Sequence, residues 1–151
     1  MSITQSGIFL ATFVDIMDTT QLAVNYDTDT LKAALYASTI TPDFSATAAN
    51  AAYNAGVYSG TELTGTGYTA GGATLASITF TGASAVATFD AADVSWTSST
   101  ITGARGVLVY DNTLTGKNAL VLVDLGSSYS TSAGTLAITW SASGIARYTL
   151  A

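Results

Sequence analysis

The spacing of apolar residues near the start of the chain predicts a short amphipathic helix. Residues 6–18 read SGIFLATFVDIMD, and Ser6 is a candidate N-cap in front of the apolar positions. Those positions recur at helical spacing: Phe9, Phe13, Ile16 and Met17. The polar run NYDTDT at 25–30 predicts a turn. Residues 1–28 are therefore expected to hold a helix and a turn at the start of a single domain.

Two later segments have less definite patterns. Residues 31–37, LKAALYA, contain good helix formers, but their apolar positions also alternate as in a strand. Residues 47–56, TAANAAYNAG, predict a short helix that ends at Gly56, because glycine is common just after a helix.

From residue 66 onward, runs of β-branched and aromatic residues alternate with Gly, Ser, Asp and Asn. The predicted strands are 73–80, 84–89, 93–96, 104–110, 119–125, 135–140 and 145–150. Strands at this spacing indicate an antiparallel sandwich or barrel. We therefore expect a mainly β domain over residues 29–151, an antiparallel, jelly-roll-like β-sandwich that follows the short N-terminal helix.

One predicted hairpin has strands that lack the usual alternation. Residues 106–111, GVLVYD, lead through NTLTGK into 118–125, NALVLVDL, with consecutive apolar residues in both strands. A half-buried strand alternates apolar and polar residues, and a sandwich covers one face of each sheet. We therefore expect a second cover, either the N-terminal helix or a neighbouring subunit. The residues predicted to lie in or behind an interface are Val107, Val109, Leu120, Leu122 and Tyr68.

The charge of the chain argues against several classes of function. Charged residues make up 9% of the 151 residues, against about 25% in ordinary globular domains. Four scattered cations and ten acids give a net charge of −6, whereas duplex binding needs clustered Lys and Arg. We therefore expect no nucleic-acid partner and no membrane partner. The longest apolar runs fall short of the roughly 20 residues that span a bilayer.

The stretch GTGYTAGGATL at 65–75 invites comparison with phosphate-binding loops. A dinucleotide fingerprint needs G-x-G-x-x-G before a helix, but here the spacing is G-x-G-x-x-x-G-G before a strand-like segment. A P-loop needs Lys and then Ser or Thr after its last glycine, where this chain has Ala73 and Thr74. We interpret the glycines as sheet corners that need positive φ and close backbone approach, and we expect no cofactor.

Catalytic and metal-binding residue types are scarce. The chain has no Cys and no His, which removes thiolate and imidazole catalysis and the strongest metal ligands. A carboxylate-dependent hydrolase remains a minority alternative, although acids at strand ends favour turns. The run DTDTLKAALYAS lacks the Gly and Glu of an EF-hand, so we expect no enzyme and no metal site beyond an adventitious surface cation. The candidate carboxylates are Asp90, Asp93, Glu62, Asp111 and Asp124.

Aromatic residues raise the alternative of a sugar-stacking face, since the chain has eight tyrosines and two tryptophans. Trp96 and Trp140 lie in β-runs, so we expect them to fill the core. Tyr53, Tyr58 and Tyr68, near the glycine stretch, are the candidates for an exposed aromatic surface.

Several blocks of the sequence resemble small virion proteins of tailed bacteriophages. They are LKAALYAST with PDF, GTGYTAGGATL, AADVSW with STITGARGVLVYD, and LVDLGSS with SAGTLAITWSASGI, and together they cover about residues 29–146. The resemblance implies a structural role on the particle and no catalytic residues, and it favours a strand over residues 31–37. Arg105 lies where the resemblance is strongest, and we expect it to pair with an acid such as Asp93 or Asp111.

The function that the sequence favours is that of a capsid decoration or cement protein. Such a protein forms a homo-oligomer and binds the major capsid protein on the surface of a virion assembled in the host cytoplasm. A low density of charge agrees with this expectation, because it lowers the cost of desolvating large interfaces. The alternative is a tail-associated or fibre-like module that binds a host-surface glycan.

Overall fold

The computed structural model describes residues 2–45 and 51–150. Within these residues the chain is mainly β, with antiparallel pairing and one α-helix near the N-terminus, so the predicted fold class is confirmed. Helix α1 spans Leu10–Met17. The strands are β1 Gly7–Ile8, β2 Leu31–Ala37, β3 Gly65–Thr66, β4 Ala73–Thr74, β5 Thr79–Ala83, β6 Val86–Asp90, β7 Val94–Ile101, β8 Ala104–Asp111, β9 Ala119–Tyr129, β10 Gly134–Ile138 and β11 Ala146–Thr149.

The strands form three antiparallel sheets. One has five strands in the order β1-β9-β8-β2-β4, and two have three strands each, β10-β7-β3 and β11-β6-β5. One face of the five-stranded sheet packs on both smaller sheets in a sandwich-like layer. Its core combines Leu35 and Val109 with Trp96 and Leu136 of the second sheet and Phe89 of the third. Both tryptophans belong to this core, as the sequence predicts.

The opposite face of the five-stranded sheet is covered by other segments of the same chain. Leu108 and Leu122 belong to a second core cluster with Ile3 and Phe9, which precede α1, and with residues of the 40–58 segment. The expectation that both faces of β8 and β9 are covered is therefore confirmed, but the residues of this cluster precede and follow the helix instead of belonging to it. Consecutive apolar residues in a strand serve two cores because successive side chains point to opposite faces.

The predicted hairpin of β8 and β9 is confirmed, and its register is fixed by apolar pairs. Leu108 lies opposite Leu122, and Val109 lies opposite Val121. Asp111 begins the connection, where its Oδ1 accepts hydrogen bonds from the backbone N–H groups of Thr113 and Leu114 at 2.8 Å and 3.3 Å. Segment 31–37 is a strand, β2, paired along its length with β8.

Two predicted strands are interrupted by turns. The predicted strand 73–80 is divided between β4 and β5, because Ser77 has a φ of 51° and breaks the extended backbone. The predicted strand 84–89 begins only at Val86. Ser84 and Ala85 form the two-residue turn between β5 and β6, with φ values of 48° and 60°, and positive φ at both positions is what a type I′ turn requires.

Helix α1 forms where the sequence predicts a helix, but Ser6 is not its N-cap. The N-cap is Phe9, which makes no side-chain capping bond. The Oγ of Ser6 instead accepts a hydrogen bond from the backbone N–H of Asp124 at 2.8 Å, because β1 pairs with β9 and carries Ser6 alongside it. Among the described residues, no helix has the length and apolar character that crossing a membrane requires.

The predicted helix at 47–56 is not formed by the residues that the structure describes there, and residues 46–50 lie outside them. Ala52 makes an antiparallel bridge with Asn118, and Gly56 begins a 3₁₀ turn, Gly56–Tyr58, instead of ending a helix. Pairing with the β8–β9 connection overrides the local helical propensity, as tertiary contacts often do.

Candidate functional site

Four of the residues predicted to lie in or behind an interface are buried within the chain. Val107, Val109, Leu120 and Leu122 each expose at most 3% of their surface. The first three belong to the sandwich core and Leu122 belongs to the second core cluster. Such side chains have no free surface to offer, so in this fold they lie behind any interface instead of contacting a partner.

Tyr68, the fifth of these residues, is half-buried and tied to the chain through its hydroxyl group. The hydroxyl donates a hydrogen bond to Glu62 Oε1 at 2.6 Å and accepts one from the backbone N–H of Leu35 at 2.9 Å. Its ring lies 5.7 Å from that of Trp96. Tyr68 therefore links the glycine stretch to strand β2 and to the core.

Glu62 accepts hydrogen bonds through both of its carboxylate oxygens and so connects three neighbouring segments of the chain. The Tyr53 hydroxyl donates to Oε2 at 2.6 Å, and the backbone N–H of Gly71 joins Tyr68 in donating to Oε1 at 2.7 Å. Burial, and then the hydrogen bond to Glu62, raises the pKa of Tyr53 to about 12. We call Glu62, Tyr53, Tyr68 and Gly71 the Glu62 cluster. Its acid is an acceptor for three internal donors and has a structural role.

The glycine stretch at 65–75 is a set of sheet corners, as the sequence predicts. Gly67 and Gly72 have φ values of 75° and 74°, and a Cβ on Gly72 would lie 1.9 Å from the carbonyl oxygen of Ala33. Strand β4 follows the last glycine of the stretch, where a phosphate loop would open a helix. The N–H of Gly71, which an anion would need, already donates to Glu62.

The remaining candidate carboxylates serve local structure. Asp90 accepts a hydrogen bond from the N–H of Ala91, and Asp93 accepts one from the N–H of Trp140, both at 2.9 Å. Among residues 2–45 and 51–150, no three Asp or Glu side chains form a group that could hold a metal ion. These acids are used as the sequence suggests, to close turns and strand ends.

Arg105 pairs with Asp124, and the expectation of Asp93 or Asp111 was wrong. Its Nε lies 2.8 Å from Asp124 Oδ1. The pairing follows from the hairpin register, because Asp124 lies opposite Gly106, the neighbour of Arg105.

Asp111 is the most unusual acid of the described chain. It is fully buried, and its Oδ2 has no hydrogen-bond partner. Burial, together with the neighbouring carboxyl of Asp29, raises the pKa of Asp111 to about 6. Hydrogen bonds from Thr113 and Leu114 oppose that shift only in part.

Helix α1 directs its apolar side to solvent. Ala11 and Thr12 are the buried residues of the helix, and Thr12 Oγ1 donates to the carbonyl of Ala119 at 2.7 Å. The opposite side carries four exposed apolar residues at i, i+3, i+4 and i+7: Leu10 45%, Phe13 42%, Val14 38% and Met17 76% exposed. The apolar spacing in the sequence gave the helix correctly, but it did not indicate which side would face solvent.

An apolar hollow of about 770 Å³ lies beside this helix, between α1 and the β11-β6-β5 sheet. Its lining includes Phe13, Ile16, Met17, Phe80, Tyr148 and Leu150. Aromatic contacts hold its wall, with Phe13 stacked on Tyr148 at 5.9 Å and Phe80 stacked on Tyr26 at 4.8 Å. We call Leu10, Phe13, Val14, Met17, Phe80 and Leu150 the apolar patch. All six are exposed large apolar residues.

Comparison with protein-family models, with curated proteins and with solved structures finds no match to this chain. The bacteriophage resemblance of the sequence therefore remains a prediction. The candidate functional site rests on the geometry alone, and the apolar patch is the feature that internal structure explains least.

Proposed function

We propose that this chain is a structural protein of a bacteriophage virion, most simply a capsid decoration protein that works by assembling with copies of itself and with the major capsid protein. Its action needs no cofactor and no catalytic step. The observation that carries the proposal is that α1 directs its apolar stripe to solvent beside a hollow of about 770 Å³.

An exposed apolar surface of this kind is uncommon on a protein that acts alone. Contiguous apolar surface on soluble monomers is usually limited to a few hundred Å², and larger areas mark interaction sites. Here Met17 and Leu150 expose 76% and 69% of their surface. The chain is rich in Ser, Thr and Gly, which would be less costly to expose at these positions. Covering the patch in an assembly removes this surface from water.

The interior of the fold supports a structural role in a second way. The five-stranded sheet is packed on both faces, and the candidate carboxylates are taken up by structural contacts. Such packing leaves the outer surface as the part of the domain that can contact a partner. The glycan-binding alternative is less well supported, because Tyr58 is fully buried and the hydroxyls of Tyr53 and Tyr68 both bind Glu62.

Electron microscopy of the phage particle tests the proposal directly. We expect density of the size and shape of this domain on the head, in contact with the major capsid protein. Purified chain added to heads that lack it should restore that density. Density confined to the tail, or no density on any particle, would contradict the proposal.

A binding assay on the same heads connects the role to the surface. The double variant Phe13→Ser with Met17→Ser should bind heads less well than the native chain. Tyr129→Ser is the matched control, because Tyr129 is 49% exposed but lies outside the apolar patch. Equal loss of binding in both variants would remove the patch from the explanation.

A further inference from the structure

We propose that two copies of this chain associate through the apolar patch in an isologous contact, with α1 of each copy packed antiparallel against α1 of the other. This inference identifies a second copy of the chain as the partner of the patch. It rests on one part of the proposed function, namely that the chain assembles with copies of itself. It concerns purified protein in solution, so it can fail while the role on the virion stands.

The stripe on α1 has the spacing by which helices pack on one another. Leu10, Phe13, Val14 and Met17 occupy i, i+3, i+4 and i+7, the anchor positions of a helix that lies in an apolar groove. The side that normally docks such a helix onto its own domain is directed outward, because Ala11 and Thr12 make the internal contact.

The patch is also complementary to itself. It presents a ridge, the stripe of α1, and beside the ridge a hollow lined in part by Phe80, Tyr148 and Leu150. An isologous contact uses the same surface twice, so each copy must supply both a ridge and a recess for the ridge of the other. Met17, the most exposed of the stripe residues, is flexible enough to fit an irregular recess.

The area agrees with a weak to moderate dimer. The six patch residues are 38–76% exposed, which leaves roughly 600 Å² per copy if a fully exposed side chain of this size offers about 200 Å². A standard specific interface buries about 800 Å² per partner. We therefore expect a dissociation constant on the order of micromolar, after the cost of association is subtracted.

Charge favours a second copy in antiparallel orientation. The four stripe residues are uncharged, so the contact buries no charge on α1. The first turn of α1 has no acidic residue and no side-chain cap, whereas Asp18 follows its last turn. An antiparallel pair brings Asp18 of each copy toward the partially positive N-terminal end of the other helix. A parallel pair would place the two Asp18 carboxylates together.

Cross-linking tests the arrangement in the native background, which has no Cys. The midpoint of the stripe lies between Phe13 and Val14, so Val14→Cys should form a disulfide-linked dimer under mild oxidation. An equal mixture of Leu10→Cys and Met17→Cys proteins should form mixed dimers, because an antiparallel pair places these positions opposite each other. Tyr129→Cys is the exposed control, and it should form no disulfide-linked dimer. Circular dichroism verifies that each variant is folded.

Sedimentation velocity from about 1 to about 100 μM gives the second readout, over the range in which a micromolar dimer forms. The native chain should shift from monomer to dimer, and Phe13→Ser with Met17→Ser should weaken the association at least about tenfold. A native chain that remains monomeric at the highest concentration would overturn the inference. So would a dimer that Tyr129→Cys cross-links and Val14→Cys does not.

Other occupants of the patch give different results. If the native chain remains monomeric but the patch variant loses binding to phage heads, the patch contacts the capsid protein and the second copy is excluded. If the apolar dye ANS binds the native chain, binding is lost in the patch variant and the chain never dimerises, the hollow is a small-molecule site. A native dimer that fails to bind any head leaves this inference intact and contradicts the proposed function.

Discussion

The β8–β9 hairpin and helix α1 are both rich in apolar side chains, but they bury them in different ways. In β8, alternate residues enter two separate cores, and the residues before α1, with residues from 40–45 and 51–58, supply the second cover. In α1, the internal contact is made by Ala11 and Thr12, and the large residues remain exposed. The hairpin is complete within one chain. The exposed side of the helix is left uncovered by the described residues of the chain.

The difference shows that an apolar run in a sequence indicates burial but does not identify the segment that buries it. The uninterrupted run VLVY indicates that both faces need a cover, but a neighbouring subunit and a distant segment of the same chain satisfy that need equally well. The exposed side of α1 is more informative, because the folded chain has already placed every described segment that could cover it. The interaction surface that we propose therefore lies where the packing within the described chain ends.

The first test removes a large side chain from each of the two regions. Leu108→Ala should lower the free energy of unfolding by about 3 kcal/mol, because Leu108 is fully buried and its loss leaves a cavity. Met17→Ser should change it by less than about 0.5 kcal/mol. Urea denaturation at a concentration low enough to keep the chain monomeric measures both. Comparable losses would mean that α1 is packed internally after all.

A second test examines the corner that fixes the edge of the five-stranded sheet. Gly72→Ala should destabilise the fold by about 3 kcal/mol, because its φ is +74° and the new Cβ would meet the Ala33 carbonyl. Gly103 is the matched control, with a φ of +75° and no atom within 4 Å of its Cβ position. Gly103→Ala should cost only about 1 kcal/mol. Thermal unfolding of the two variants gives the comparison, and equal costs would contradict the close approach at Gly72.

A third test examines the Glu62 cluster, which stabilises the fold by hydrogen bonds where the hairpin does so by apolar packing. Glu62→Gln should cost about 2 kcal/mol, because it replaces charge-assisted acceptors by an amide that cannot accept from three donors. Tyr68→Phe should cost less, and its cost should shrink further in the Glu62→Gln background. Chemical denaturation of this double-mutant cycle measures the coupling. Strict additivity would mean that the hydroxyl and the carboxylate act independently.

The last test concerns the pH dependence of stability. The folded pKa of Asp111, about 6, is higher than its ordinary value of 3.8, so the folded state binds this proton more tightly. The free energy of unfolding should therefore decrease as pH rises from about 4 through about 6, by at most about 1.4 kcal/mol per pH unit for one proton. Asp111→Asn should flatten this slope in denaturation curves. An unchanged slope would assign the pH dependence to other acids.

Much of the fold follows from local pattern, and the exceptions have physical causes. Strands β8 and β9 are predicted well because their apolar runs and the turn between them are local signals. The break at Ser77 and the turn at Ser84 are missed because neither position carries the glycine or asparagine that usually marks positive φ. Residues 51–56 are missed because pairing with Asn118 decides their conformation.

The candidate site was less predictable than the fold. Exposure is a property of the assembled tertiary structure, so no spacing in SGIFLATFVDIMD states which side of α1 meets β9. That side is decided by the hydrogen bond from Thr12 to Ala119 and the backbone bond from Phe9 to Leu120. The sequence named both Glu62 and Tyr68 but gave no reason to join them, since their contact depends on the corner between them.

The pairing of β1 with β9 has a consequence for how the chain is made. Gly7 lies opposite Leu122, so β1 pairs with a strand that is synthesised much later. Until β9 is synthesised, β1 has no strand to pair with in the growing chain. Non-local pairing of this kind slows folding and exposes apolar segments to aggregation in the meantime. We therefore expect the segment around β1 to be more prone to aggregation during translation than strands with neighbouring partners, such as β5 and β6.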